Sequence, residues 1–245
     1  MSVNVLDLME LESEGVDVDL RGGEVLRHFQ TLLSSRRARA ADFLSCAQSF
    51  ESAGLDHEAL SACDEAIRRD GLYWEALVFR AELLLGQFIR LDEGGSQREA
   101  ADRALSDYRR ALSFAGTASV DLVRGYAVAL LLAGAYRDCA EVVERVLPGY
   151  HTLNGEVESD LRYVLGCAYV FLGERDKAAK AFERMKELDA DNEYALFGFA
   201  IGSLVSGEAD PSRCEDGLPA ELSASLRRLR EQGCGSFLDV ARALA

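Results

Sequence analysis

The chain has few features that would interrupt helices or mark a membrane protein. Only three prolines occur in 245 residues, which leaves long stretches free to be helical. The longest apolar run, Ala127–Ala133, is far shorter than the roughly 20 residues that a membrane-spanning helix needs. The first basic residue is Arg21, so the N-terminal stretch lacks the charged region of a secretory signal. These absences predict a helical protein of the cytoplasm.

Positive charge is also scarce. The chain has 27 Lys and Arg against 42 Asp and Glu, a formal net charge of −15. Because phosphate groups are bound by clustered Lys and Arg, this balance argues against nucleic acid and against an anionic membrane surface as partners.

Cysteine spacing gives no sign of a metal site or a disulfide framework, since no pair approaches CxxC. We interpret the cysteines as buried free thiols in a reducing compartment. They are Cys46, Cys63, Cys139, Cys167, Cys214 and Cys234.

Candidates for catalysis are few. The three histidines, His28, His57 and His151, are scattered and have no ligand or nucleophile at helical spacing. We interpret His57 as solvated and His28 as a residue at the edge of the core. The pair Gly94-Gly95 lacks the lysine and the strand of a phosphate-binding loop. The sequence therefore predicts no catalytic residue, no metal site and no cofactor.

The strongest pattern is a repeat of about 34 residues, in which a small residue is followed seven positions later by glycine. Ala81 lies one period after Ala47, and Ala200 lies one period after Gly166. The small residue and its glycine are Ala47 and Gly54, Ala127 and Gly134, Gly166 and Gly173, and Ala200 and Gly207. A period of this length is typical of units that cannot bury their apolar face alone and therefore stack on one another.

Each unit has the pattern of two helices. In the first unit, Phe43, Ala47 and Phe50 share one face of a helix that ends near Gly54. In the fourth unit, Leu165-Gly166 and Tyr169 are followed by Gly173 and then by Ala178, Phe182 and Met185.

These residues resemble the tetratricopeptide repeat (TPR) family. Its pattern has Leu-Gly-x-x-Tyr, an Ala nine residues after that Tyr and an aromatic residue four later; Leu165, Tyr169, Ala178 and Phe182 match it. Met185 replaces the last small residue, and the usual proline near position 32 is missing from every unit. The resemblance implies an all-α fold, a right-handed solenoid of about five helical hairpins with capping helices at both ends.

The repeat predicts the organisation of the chain. We expect an acidic tail over residues 1–22, a half-repeat or cap helix over 23–39, one continuous solenoid over 40–235 and a C-terminal cap over 236–245, with Phe237, Ala241 and Leu244 on one face. The predicted units are 40–73, 74–119, 120–153, 159–192 and 193–235. Two units are longer than the period: the second has a hairpin insertion at 91–101, and the fifth a surface loop at 208–217.

In the TPR family, the side of each first helix that faces away from its partner helix lines a concave, peptide-binding groove. In this chain those positions become apolar towards the C-terminus, and a helix that is apolar all round must bury its second face. The predicted groove residues are Arg124, Val128, Leu131, Tyr163, Cys167, Val170, Phe171, Phe197 and Ile201. We expect Phe171 and Phe197 to anchor an apolar peptide or amphipathic helix and Arg124 to meet an acidic group.

Several interpretations stay open from the sequence. The groove is either a binding site or is filled by the chain's own termini or by a second copy. The leading hypothesis is a non-enzymatic interaction module or scaffold. The alternatives are a chaperone or adaptor like those of bacterial secretion systems, and a solenoid that binds a small apolar ligand. The residues that clamp heat-shock chaperone tails in some relatives are not matched here, since Leu44 and Asp121 stand where Lys is required.

Overall fold

A computed structural model describes residues 18–90, 95–114, 120–149, 155–190, 192–206 and 218–244. Within these ranges the chain forms twelve α-helices and no strand. The helices are α1 (Val18–Ser34), α2 (Ala40–Ser52), α3 (Asp56–Arg69), α4 (Trp74–Arg90), α5 (Gly95–Phe114), α6 (Val120–Leu132), α7 (Tyr136–Val146), α8 (Gly155–Leu172), α9 (Arg175–Leu188), α10 (Glu193–Ser206), α11 (Ala220–Gln232) and α12 (Phe237–Leu244).

The repeat glycines close the first helix of a hairpin. Gly54, Gly134 and Gly173 have φ of +71°, +75° and +74°. Only glycine adopts this left-handed conformation without steric cost, which explains why the repeat carries glycine where the chain reverses between two helices.

The helices begin close to the predicted unit starts. Helices α2, α4, α6 and α10 begin at the first residue of the corresponding predicted unit. Helix α8 begins at Gly155, four residues before the predicted start of the fourth unit, and α1 begins at Val18, ahead of the predicted start at residue 23.

Contacts divide the chain into two compact units, which are larger than the repeat units described above. From here on, the first unit is Met1–Gln87 with Asp102–Thr117, and the second unit is Phe88–Ala101 with Ala118–Ala245. In the first unit, Phe43 and Phe50 of α2 are fully buried. The ring of Phe29, from α1, lies edge-on against both, with centroids 6.0 Å and 5.6 Å away. Helix α1 thus covers the apolar face of the first hairpin, as a half-repeat does.

The second hairpin is longer than the first. Helices α4 and α5 have 17 and 20 residues, against 13 and 14 in α2 and α3. Helix α4 ends at Arg90 and α5 begins at Gly95, on either side of residues 91–94 of the predicted insertion. Arg80 of α4 forms two hydrogen bonds of 2.7 Å with Asp107 of α5, and these join the two helices within the first unit.

In the second unit, the first helices of successive hairpins lie side by side: α6 contacts α8, and α8 contacts α10. We call α6, α8 and α10 the A-helix layer. Helices α7 and α9 pair with α6 and α8. The side chain of Phe182 in α9 is 1% exposed and lies against two helical glycines, Gly166 and Gly198.

The C-terminal helix corrects one prediction. Phe237, Val240 and Ala243 are buried, whereas Ala241, which was predicted to share the apolar face of Phe237, is partly exposed. The helix contacts α11 and α6. In so short a helix, the apolar residues are compatible with more than one buried face. Packing on α6 buries the face whose residues are spaced three apart.

Some predictions fall outside the described residues: most of the acidic tail (1–17), the start of the insertion (91–94), the loop at 208–217, His151 and Cys214. No helix in the described part of the chain is long and apolar enough to cross a membrane.

Candidate functional site

The nine predicted groove residues all lie in the A-helix layer of the second unit, on α6, α8 and α10. Their burial differs sharply. Leu131, Cys167, Phe197 and Ile201 are 0% exposed, and Val170 is 6% exposed. Because the helices of this layer pack against one another, the four fully buried side chains form the interior of the layer and present no surface to a partner.

Three predicted residues lie together at a surface pocket. Arg124, Val128 and Tyr163 line a cavity of about 320 Å³, which we call the Tyr163 pocket. Its other lining residues are Ser159, Asp160, Val164, Met185, Asn192 and Tyr194. The pocket combines apolar side chains with a few polar groups, as binding sites commonly do.

Arg124 is not a free cation, which corrects the expectation that it awaits an acidic group. Its guanidinium lies 2.6 Å from the carboxylate of Asp160 and 3.2 Å from that of Asp121. One positive charge therefore meets two negative ones, so this end of the layer does not favour an anion. Since Arg124 and Asp160 are 43% and 44% exposed, solvent screens the pair and its contribution to stability is small.

Tyr163 is held by rings on two sides, 6.4 Å from the Phe182 centroid and 5.6 Å from that of Tyr194. Its hydroxyl is buried and has no hydrogen-bond partner of normal geometry among the described residues. Burial raises the pKa of this phenol well above its usual value, and the nearby Cys167 thiol raises it further. A buried hydroxyl without a partner is costly, and such groups are found where a ligand completes the bonding.

The wall of the Tyr163 pocket is fixed by polar contacts. The Asn192 side chain accepts a hydrogen bond from the Ala195 amide (2.9 Å), capping α10, and donates one to the Ser159 hydroxyl (3.2 Å). Beside it, the Glu158 side chain is 3% exposed and accepts hydrogen bonds from Arg162 and Arg184. Burial raises the pKa of Glu158, but the hydrogen bonds and charges of Arg184 and Arg162 outweigh it and hold the pKa below its usual value.

At Phe171 the layer is covered by the chain itself. The Phe171 ring stacks on Tyr136 at 5.1 Å and 20°, and Phe237 of α12 meets it edge-on at 6.3 Å. The sequence predicted Phe237 on the apolar face of a C-terminal cap, and one open interpretation had the chain's own termini filling the groove, but Tyr136 was not predicted to take part. The relevant signal was the aromatic residue at the first position of an amphipathic helix.

A second and larger pocket was not predicted. It has about 470 Å³, and we call it the Phe199 pocket. Its lining comes from α8, α9 and α10 and the α8–α9 turn: Val170, Gly173, Arg175, Ala178, Ala179, Phe182, Gly198, Phe199, Gly202, Ser203, Val205 and Ser206. Phe199 and Ser203 belong to α10, whose hairpin partner α11 begins only at Ala220.

Within the described ranges, no group of three or more His, Cys, Asp and Glu is placed to hold a metal ion. Four cysteines, Cys46, Cys63, Cys139 and Cys167, are buried and free, and Cys234 is partly exposed. Burial raises the pKa of Cys46, Cys63 and Cys139 to about 12, so these thiols stay protonated at neutral pH.

Comparison with known proteins agrees with this architecture. No family model and no curated protein sequence matches the chain. Solved structures do match: YrrB, described as a TPR protein with an unusual peptide-binding site, is 17% identical, with 82% of this chain and 98% of YrrB covered and a TM-score of 0.58. TTC0263, a thermophilic TPR protein of Thermus thermophilus, is 15% identical over 82% and 97% of the chains, with a TM-score of 0.55.

MamA is a third similar structure, at 14% identity, 76% and 96% coverage and a TM-score of 0.54. At these identities the likeness concerns the fold. Together with the glycine-closed hairpins and the packing of the A-helix layer, it shows that the chain has the tetratricopeptide-repeat fold, as the sequence predicts.

Proposed function

We propose that the chain is a non-enzymatic protein–protein interaction module that binds a peptide or helix on the A-helix layer of its second unit. The observation that carries this proposal is the Tyr163 pocket, where residues from neighbouring helices surround a cavity of about 320 Å³ and where the buried Tyr163 hydroxyl lies beside the weakly bonding Cys167 thiol. The peptide-binding site named for YrrB supports the same class of function.

The charges around the pocket suggest which peptides fit it. Asp121 and Asp160 together exceed the single charge of Arg124, so a neutral or basic residue is preferred over an acidic one. Tyr194 lies at the rim of the pocket and is 53% exposed. Exposed tyrosines are enriched at protein–protein interfaces. The Tyr163 hydroxyl would donate a hydrogen bond to a carbonyl oxygen of the bound peptide.

Affinity capture from cell lysate, followed by mass spectrometry of the retained proteins, tests the proposal. Two variants place a charge at the pocket without disturbing the interior: Tyr194→Glu, and Val128→Glu at a partly exposed position. The control is Leu72→Glu, at an apolar residue that is 64% exposed in the first unit. We expect the control to retain the partner and both pocket variants to lose it. Retention of the partner by both pocket variants would exclude this site.

The Phe199 pocket favours a second candidate, a small apolar ligand. Its volume of about 470 Å³ and its Phe and Val lining match the size and character of small-molecule sites. Mass spectrometry of solvent extracts from the purified protein tests this function. The variant Ala179→Trp fills the pocket from a partly exposed position. A compound that co-purifies with the unaltered protein and is absent from the variant would establish the candidate, and the absence of any compound would exclude it.

A further inference from the structure

The C-terminal helix lies on the A-helix layer at a point distant in sequence. Helix α12 contacts α6, and its first residue, Phe237, meets the Phe171 ring of α8 edge-on. The Phe237 amide also donates a hydrogen bond of 3.2 Å to the hydroxyl of Tyr136. Besides α11 of the last hairpin, α12 therefore contacts residues of the two hairpins that precede that hairpin.

Helix α12 has the features of a self-contained docking segment. Its N-terminus is closed locally, because the Asp239 carboxylate accepts hydrogen bonds from the backbone amides of Gly235 (2.9 Å) and Ser236 (2.8 Å). Its contact face consists of Phe237, Val240 and Ala243, which are 8%, 0% and 4% exposed. An aromatic, a β-branched and a small residue at three-residue spacing form one apolar stripe.

The connection to α11 is a sharp reversal. Gly233 ends α11 with φ of +95°, a conformation that residues with a side chain rarely adopt. Only three residues, Cys234, Gly235 and Ser236, separate it from α12. A tether of this length keeps α12 at a high effective concentration, on the order of millimolar, next to the surface that it covers.

We propose that α12 is an intramolecular occupant of the A-helix layer at Phe171, held where an amphipathic helix of a partner protein docks on the same layer. The inference rests on the proposed function and adds two points to it. The partner helix carries the same stripe, an aromatic residue followed at three-residue spacing by a β-branched and a small residue. It must also displace α12, so the affinity of the intact chain is reduced to the intrinsic affinity multiplied by the fraction of time that α12 is undocked.

A labelled synthetic peptide of residues 235–245 is the probe, and its fluorescence anisotropy is measured with full-length proteins. The unaltered chain is expected to bind the peptide weakly. The double variant Phe237→Ser with Val240→Ser, whose own helix is weakened, is expected to bind it at least tenfold more tightly. Leu238→Ser, a partly exposed site on the same helix, is the control and should match the unaltered chain. Adding Phe171→Ala to the double variant should remove the gain.

A double variant with unaltered helix content by circular dichroism, but with no tighter binding, would overturn the proposal. If the double variant does not fold, Tyr136→Phe decides, because it removes only the hydroxyl that holds the Phe237 amide. Hydrogen exchange of that amide should then accelerate severalfold and peptide binding should strengthen; an unchanged exchange rate and unchanged binding would contradict the proposal.

Lysate capture separates this inference from the function on which it depends. If the unaltered chain and the double variant retain the same partner in the same amount, the interaction module stands and the role of α12 fails. If α12 exchanges with the peptide but no protein is captured by either, the interaction module fails instead.

Discussion

The ring of Phe182 fills the space that a side chain on Gly198 would need. A Cβ atom at Gly198 would lie 2.4 Å from Cε1 of Phe182, far closer than any van der Waals contact. Gly166 of α8 meets the same ring at the same distance. Two helices of the A-helix layer thus approach α9 closely because each carries glycine at its contact with one phenylalanine.

Gly198→Ala is therefore expected to destabilise the protein. The Phe182 ring is already in close contact with Gly166, so it cannot move away from Gly198 in that direction. Overpacking of this kind costs about 1–3 kcal/mol, which exceeds the gain of at most about 1 kcal/mol from alanine's helix propensity. Urea unfolding followed by circular dichroism measures the change. The control is Gly23→Ala at an exposed site in α1, where nothing lies within 4 Å of the added atom. It should stabilise the protein by about 0.4–1 kcal/mol. A stabilising Gly198→Ala would show that the ring can relax.

The pair of Arg80 and Asp107 gives a second prediction. Asp107 is 3% exposed in its side chain and holds Arg80 through two hydrogen bonds, so Asp107→Ala leaves a buried guanidinium poorly compensated. Breaking a buried pair in this way costs about 3–5 kcal/mol. The control is Asp64→Ala, which removes a carboxylate that contacts the same guanidinium but is 53% exposed; it should cost under about 1 kcal/mol. Equal effects in denaturant unfolding would refute the distinction.

Glu65 makes stability depend on pH. Hydrogen bonds from Arg68 and Arg69 lower the pKa of Glu65 from 4.5 to about 2, against the opposing effect of burial. Because the folded pKa is depressed, the stabilisation is present above pH 4.5 and is lost as the pH falls towards 2. The free energy of unfolding, measured from about pH 5 down to about pH 2.5, should fall more steeply for the unaltered chain than for Glu65→Gln. Parallel curves would contradict this prediction.

Tyr163→Phe separates stability from binding. Removal of a buried hydroxyl without a partner should leave the free energy of unfolding unchanged or raise it by up to about 1 kcal/mol. The same change should weaken partner binding, because the hydroxyl is proposed to bond the peptide. The control on the same helix is Tyr169→Phe, whose hydroxyl donates to Glu144 and whose loss should cost about 1 kcal/mol or more. A destabilised Tyr163→Phe would show that its hydroxyl already has a partner in the folded chain.

The sequence predicts the helices well because their limits are set locally. A glycine that must adopt positive φ, such as Gly134, and a small residue seven positions earlier mark each hairpin, so the predicted starts of α2 and α10 agree with the structure. The early start of α8 had no comparable signal. Residues 155–158 lie before the repeat pattern begins, and Glu158 is stabilised there by Arg184 of another helix.

The candidate site was predicted only in part. Arg124 was predicted to lie in the groove, but its pairing with Asp160 depends on how closely α6 approaches α8, which periodicity does not give. The same pattern did not distinguish exposed positions such as Tyr194 from interior ones such as Ile201, because an apolar residue suits either a packed layer or an open groove.

The bond between the Phe237 amide and the Tyr136 hydroxyl joins residues 101 positions apart in sequence. Repeat proteins otherwise fold through contacts between neighbours, so they can fray one hairpin at a time from either end. A contact of such high sequence separation changes this behaviour in the second unit, because it forms after the intervening hairpins have folded and slows the final folding step. Once formed, it connects the last helix to the third hairpin, and we expect the helices from α6 to α12 to unfold as one cooperative block.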